Sequence, residues 1–329
     1  MLKYLVILLI MIMLTSCFKE DIPVMPHEGN ELSITESIYT HRSYFELASG
    51  SVVAVNPVEA WDLGFESSKT GWHIIVNSGR YMGIWSSHST GFEGITSVPS
   101  TAVWKFDKSD GNKDSTAVGN WLSPETGIPS GEVYVLGINN GVKYVPYRKI
   151  VFLSVSPGTY SFRYSEMNGS GENTYEITKD TTRNFVYFSF SDGAGSVIIE
   201  PEKTGWDVVF TQYATTLYTD DGIPTPYFVR GGLSNPCGVE VALDTLTAYE
   251  EISSADIQRF PFSPNEDAIG YDWKTVQIND VSATYSIRQN FTYIIKSVTG
   301  DYYKLRFTGF YDDSGAPGYP RFETERIEK

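Results

Sequence analysis

The chain has 329 residues, with 40 acidic and 25 basic side chains and a formal net charge of −15 at pH 7. That acidic surplus excludes a nucleic-acid binder, which needs clustered Lys and Arg, and it excludes electrostatic attraction to anionic lipid. Aromatics make up 14% of the residues, enough to stock one large or two medium cores, and two cysteines are too few for a disulfide framework.

In chain order, the first element is a secretory signal over residues 1–16. Lys3 gives a positive start, and Leu5 to Leu14 is an unbroken apolar run. A spanning helix needs about 20 apolar residues, so this run is too short to be an anchor helix. Leu14-Thr15-Ser16-Cys17 resembles the lipobox read by lipoprotein signal peptidase. The resemblance implies cleavage before Cys17 and acylation of its thiol and new amino group by chains such as palmitate. Cleavage removes one Lys and leaves 313 residues with a charge of −16. Each buried methylene contributes about 0.8 kcal/mol, so a multiply acylated Cys17 holds the protein without further contacts. Residues 17–29 then form a lipidated tether. Within it, Phe18-Lys19-Glu20-Asp21 looks like the tag that sends some Gram-negative lipoproteins to the outer face of the outer membrane. Lys19, Glu20 and Asp21 are therefore read as an export signal, and the membrane is met by the lipid anchor only. With Cys17 acylated, Cys237 has no disulfide partner.

The remaining chain reads as all-β. It is built of short alternating runs separated by turn steps such as Asp110-Gly111 and Asp221-Gly222. Two stretches match each other. Tyr44-Phe45-Glu46-Leu47 and Trp61-Asp62-Leu63-Gly64-Phe65 correspond to Tyr187-Phe188-Ser189-Phe190 and Trp206-Asp207-Val208-Val209-Phe210. Further on, Tyr160-Ser161-Phe162-Arg163-Tyr164 corresponds to Tyr303-Lys304-Leu305-Arg306-Phe307. The offsets are 143 residues for Tyr44 and Arg163 and 145 for Trp61. Matches in one order at one offset indicate a tandem duplication: two antiparallel β domains, at 30–175 and 180–329. The boundary is placed in the loop Asn168–Asn173 or the polar stretch Lys179–Asn184. The best helical candidate is short, from Ser253 to Phe260, with Ser253 as N-cap and Asp256 in the first turn.

Tyr187-Phe188-Ser189-Phe190, Trp206-Asp207, Tyr293-Ile294-Ile295-Lys296 and the closing Tyr303 to Phe307 resemble the HmuY family of surface lipoproteins. The likeness is best over residues 183–329, with residues 30–178 as a diverged second copy. It implies an all-β protein, not an enzyme, that binds haem and passes it to a TonB-dependent outer-membrane receptor. The family's founding members hold the iron with two His. Here the stretch from Val239 to Asn290 holds neither His nor Met, so no ligand is carried over.

Haem iron takes His, Met, Cys or Tyr. The candidates are therefore His73, which alternation sets opposite Trp72, Ile74 and Val76, then His88 in a polar loop, and Met82 between them; the bland alternatives are a solvated strand His, a solvated loop His and a packing Met. Cys237, without basic neighbours, reads as a small buried hydrophobe. Asp62 and Asp207 each follow a motif Trp, Trp61 or Trp206, and Arg163 and Arg306 occupy the repeated later strand. These six are read as structural; the two Asp and two Arg lie on the polar phase of their strands, with Asp62 paired to Arg163 and Asp207 to Arg306. No Ser/His/Asp or metal-ligand constellation supports hydrolysis. The alternative to haem is a surface module for a glycan or a protein, using Trp85, Trp104 and Trp121 as a stacking surface. Asp114-Ser115-Thr116, Asp180-Thr181-Thr182 and Asp244-Thr245-Leu246 resemble periplasmic O-glycosylation acceptors.

Overall fold

The computed structural model describes residues 31–191, 193–279 and 283–328. Strands, numbered β1–β20 in chain order, form two sandwiches. The first packs a five-stranded sheet on a four-stranded one. The five-stranded sheet has β6 (Met82–Ser86), β7 (Val133–Asn139), β8 (Tyr144–Val155), β9 (Thr159–Ser165) and β10 (Asn173–Thr178), in the order β10-β9-β8-β7-β6. Facing it are β4 (Leu63–Glu66), β5 (Ile74–Val76), β11 (Phe185–Ser189) and β12 (Gly195–Val197), in the order β12-β11-β4-β5. Alternation sends Phe65, Phe152, Phe162 and Phe188 into the shared core, where the Phe65 and Phe162 rings stack at 5.2 Å.

The second sandwich repeats the plan. Its five-stranded sheet has β1 (Leu32–Ser33), β15 (Glu240–Asp244), β18 (Thr292–Lys296), β19 (Tyr302–Tyr311) and β20 (Pro317–Arg326), in the order β1-β20-β19-β18-β15. Opposite lie β2 (His41–Glu46), β3 (Ser51–Pro57), β13 (Val208–Tyr218) and β14 (Pro224–Ser234), in the order β14-β13-β2-β3. Phe45, Phe210, Phe307 and Phe322 fill this core, and Trp273 stacks on Phe307 at 3.8 Å. A separate hairpin, β16 (Lys274–Ile278) with β17 (Ala283–Ile287), packs at the edge of this unit through Tyr285 and Ile287.

The two sequence copies have exchanged their first strands. β2, from the first copy, pairs antiparallel with β13 of the second, with Tyr44 opposite Val209 and Phe45 opposite Val208. β11, from the second copy, pairs with β4 of the first, with Tyr187 opposite Gly64 and Phe188 opposite Leu63. The registers are equivalent, residue for residue, under the repeat. Residues 31–57 thus complete the sandwich built mainly from 206–328, and residues 185–197 complete the other. The chain crosses between units on either side of the sequence boundary near 175–180, and the loop at Asn168–Asn173 is the turn between β9 and β10.

A third core, Tyr44, Trp61, Phe185, Tyr187, Trp206 and Val209, joins the two four-stranded sheets. Asn56 donates to the Ile199 carbonyl and Gln212 to that of Gly79 across the junction. Gly79 is obligatory there, because a Cβ would stand 2.7 Å from the Gln212 carbonyl. All helical turns among the described residues are short 3₁₀ segments. The longest, Ser254–Arg259, has Ser253 at its N-cap, with the Ser253 N–H donating to Asp256 at 2.9 Å.

Candidate functional site

Cys17, Lys19, Glu20 and Asp21 lie outside the described residues. Trp61, Asp62, Trp206 and Asp207 sit where the strand exchange is tied down. The polar phase that carries Asp62 and Asp207 meets no water there; both are fully buried. Asp207 accepts the N–H of Leu47 and that of Val298, each at 2.8 Å. Asp62 accepts the N–H of Phe190, the counterpart of Leu47, at 2.7 Å and is bound by Arg80. Each Asp therefore holds the end of the strand donated by the other copy. Burial pushes both carboxyls upward, against the pull of these N–H groups. Trp61 and Trp206 are equivalent too. Trp61 meets Tyr187 edge-on at 4.8 Å, and Trp206 meets Tyr44 at 4.9 Å.

The expected pairs of Asp62 with Arg163 and Asp207 with Arg306 do not form. Arg163 binds Glu93 and Glu172 and lies over the Phe92 ring at 4.1 Å. Arg306 binds Glu250 and Glu323 and lies over Tyr249 at 4.3 Å. These arrangements are counterparts, so the duplication holds while the partners differ. The Arg residues stand on the outer sheets and the Asp residues on the inner ones.

The haem-ligand candidates are not brought together. His73 is not a solvated strand residue: its Nδ1 is 2.6 Å from Glu66, whose other oxygen holds Lys113 at 2.6 Å. Burial opposes it, but the His73 and Lys113 contacts hold Glu66 down to about 2. Met82 is buried in the first core. His88 is exposed in the turn after β6, with its N–H on Glu132 at 2.6 Å. Cys237 is half-buried, with its N–H on Asn235. Nor do the three Trp residues form one stacking surface. Trp121 is in the core, donating to the Trp72 carbonyl at 2.9 Å, while Trp104 stacks on Tyr144 at 4.8 Å.

Two of the concavities combine aromatic and charged side chains. One, of about 110 Å³, lies at the junction of the inner sheets and is lined by Arg42, Trp61, His73 and Glu266. Burial, aided by the charge of Glu200, pushes Glu266 up to about 8, and burial takes Glu200 to about 7. This chamber is on the scale of a few waters and too small for a flat organic ligand.

The second is a cleft of about 510 Å³ in the second unit, between β14 and the β16–β17 hairpin. That volume is within the range of small-molecule sites, roughly 300–1,000 Å³. Tyr39, Tyr227, Tyr271, Tyr285 and Phe310 give it aromatic walls, and Arg230, Lys274 and Arg288 bring three cations, with Asp272 as an acid. Tyr39 hydrogen-bonds Tyr285, oxygen to oxygen, at 3.0 Å. Burial first, then Tyr285, pushes the Tyr39 phenol well above the usual tyrosine range. The Arg230 guanidinium lies 4.4 Å from the centre of the Tyr39 ring. Lys274 donates to the carbonyls of Arg230 at 2.5 Å and Tyr271 at 3.3 Å, and burial together with the Arg230 charge lowers it to about 7.

Sequence reasoning passed over this cleft. Its local signal was Tyr271-Asp272-Trp273-Lys274, where a buried Trp is flanked by charges. Tyr39 and Arg230 carried no signal, because Tyr39 arrives only with the exchanged segment ahead of β2.

A family model described as HmuY protein matches residues 38–182 and again residues 181–323. No curated protein matches the chain. Among solved structures, an apo HmuY analog of Tannerella forsythia is 11% identical, with 91% of this chain and 96% of that one covered and a TM-score of 0.24. A Bacteroides vulgatus protein described as HmuY-like and heme-binding is 12% identical, with 89% of each chain covered and a TM-score of 0.22. A Bacteroides fragilis protein described as a lipoprotein is 10% identical, with 92% and 93% covered and a TM-score of 0.22.

Proposed function

We propose, on the premise that the chain belongs to the HmuY family in two tandem copies, that it is a lipid-anchored surface protein that captures haem or a related porphyrin. In this reading Cys17 carries the acyl chains, and Lys19, Glu20 and Asp21 direct export to the cell exterior. The bound ligand is then handed to a TonB-dependent outer-membrane receptor, and the role is capture, not catalysis.

The observation that carries the reading is the cleft beside β16–β17. It offers a macrocycle flat aromatic walls and offers its acid groups cations. The reading differs from the family's founding chemistry at the iron. Of the side chains that bind haem iron, the described residues lining the cleft offer only Tyr, and Tyr39 is poorly disposed to ionise. His73, His88 and Met82 are too separately engaged to supply a joint site.

Titration of the purified mature chain with haemin should give a saturable 1:1 change in the Soret band. Replacing His73 and His88 together by Ala should leave affinity and spectrum unchanged. Absence of a saturable response, with binding to a glycan array instead, would replace this reading by the surface-glycan one. For the anchor, Cys17→Ser should leave the protein unprocessed or release it to the soluble fraction; correct processing with membrane retention would remove the lipid assignment.

A further inference from the structure

We infer that the cleft recognises the carboxylates and flat face of its ligand and not a metal at the ligand's centre, with Arg230 and Lys274 receiving the acid groups and Tyr39 with Tyr285 flanking the ring. The inference rests on the porphyrin-capture reading and specifies what part of the ligand is bound.

Charge is the first argument. In an acidic chain, most half-buried cations already have acids: Arg80 has Asp62, Arg163 has Glu93 and Glu172, and Arg306 has Glu323 and Glu250. Among the described residues Arg230, Lys274 and Arg288 form no ion pair, yet all three line one cleft. Arg230 uses Nη2 on Tyr81 and Gln212, and its Nε is buried without a partner. Lys274 uses two of its three N–H groups on backbone carbonyls. Lys149 and Lys179 also rest on carbonyls, but the cation that shares the Phe92 ring with Lys149 is Arg163, already met by Glu93 and Glu172. In this cleft two cations without an acid partner stand together, and their mutual repulsion lowers Lys274 further. A carboxylate placed between them removes that repulsion and gains charge-assisted hydrogen bonds.

The second argument is the donor set. A metal-selective site needs a soft or imidazole ligand, or a tyrosine free to ionise. Among the described residues the cleft holds none of the first kind; Tyr39 is held in its neutral form by burial and by its bond to Tyr285, and burial pushes Tyr271 up as well. What the cleft offers most of is aromatic surface, which recognises a ring whatever its centre carries.

The test is a set of fluorescence and absorbance titrations of the full mature chain. The probes are haemin, metal-free protoporphyrin IX and protoporphyrin IX dimethyl ester. The two diacids should bind within about threefold of each other, and the ester at least tenfold more weakly, as expected for loss of charge-assisted contacts. Arg230→Gln and Lys274→Gln should each weaken both diacids about tenfold or more and leave the ester unaffected. Because Lys274 is buried, its variant could lose its fold; the ester comparison uses the unaltered chain and stands by itself. Haemin binding at least tenfold tighter than protoporphyrin IX would overturn this inference and leave haem capture intact. Equal binding of ester and diacid would also overturn it. Failure of all three probes would remove the porphyrin reading itself.

Discussion

Residues 200–329, produced without residues 31–57 and without their counterparts β11 and β12, are expected not to fold into a stable monomer, although they hold every strand of the second sandwich except β1–β3. β13 would lose its neighbour β2, and β20 would lose β1. The core would lose Ile34, Ile38, Phe45 and Leu47, all of them buried; Phe45 alone packs 5.1 Å from Phe322 and 6.4 Å from Phe210. At about 1.5–3 kcal/mol for each buried apolar side chain, the loss is about 6–12 kcal/mol. The whole stability of a domain is typically about 5–15 kcal/mol. The exposed edge of β13 would also invite pairing between chains. Circular dichroism and sedimentation should show an unfolded or self-associated fragment, and adding residues 31–199 should restore a cooperative melt. A monomeric fragment that melts near the temperature of the whole protein would contradict the exchange.

Asp207→Ala is expected to destabilise the second sandwich by about 3–5 kcal/mol. The side chain accepts two backbone N–H groups, from Leu47 on the exchanged segment and from Val298 after β18, and it is only 1% exposed. Each donor left unpaired in the interior costs about 1–3 kcal/mol, and the alanine leaves a hole besides. Asp207→Asn keeps one acceptor but turns an amide N–H toward the other donor, so it should recover less than half of the loss. Asp62→Ala should behave alike, since it orphans the Phe190 N–H and the Arg80 charge. Glu250→Ala is the control: it removes an exposed partner of Arg306 and should cost less than about 1 kcal/mol. Urea unfolding midpoints measure all four. A loss under about 1 kcal/mol at Asp207 would show that the carboxylate does not hold the exchanged strand.

Much of this molecule was legible from residue order. The alternation of Trp206, Val208 and Phe210, and of Tyr303, Leu305 and Phe307, places apolar side chains on one face of a strand whatever the strand pairs with. The constant offset reveals the duplication for the same reason: like sequences make like strands. The Ser253 to Asp256 cap was readable because both partners lie within one turn.

What pairs with what was not legible. β2 carries the same pattern as β11, and β4 the same as β13, so either copy's partner satisfies the hydrogen bonds and side-chain alternation of the strand. Local pattern is degenerate between a closed copy and an exchanged one, and only the assembled sheets choose. The same degeneracy hid the partners of Asp62, Asp207, Arg163 and Arg306. Alternation assigns a residue to the polar phase of its strand, but whether that phase meets water or a second sheet is a tertiary fact. The cleft illustrates it most fully. Tyr271 to Lys274 is one local stretch, while Tyr39 stands beside it only because the chain's first strands fold into the distant unit. By itself, the residue order determined the strands, their buried faces and their duplication, because these follow from the two-residue period of the backbone. The tertiary structure alone decided the exchange of strands, the burial of the paired Asp residues and the gathering of Tyr39, Arg230 and Lys274, because each depends on contacts between segments whose local chemistry fits more than one partner.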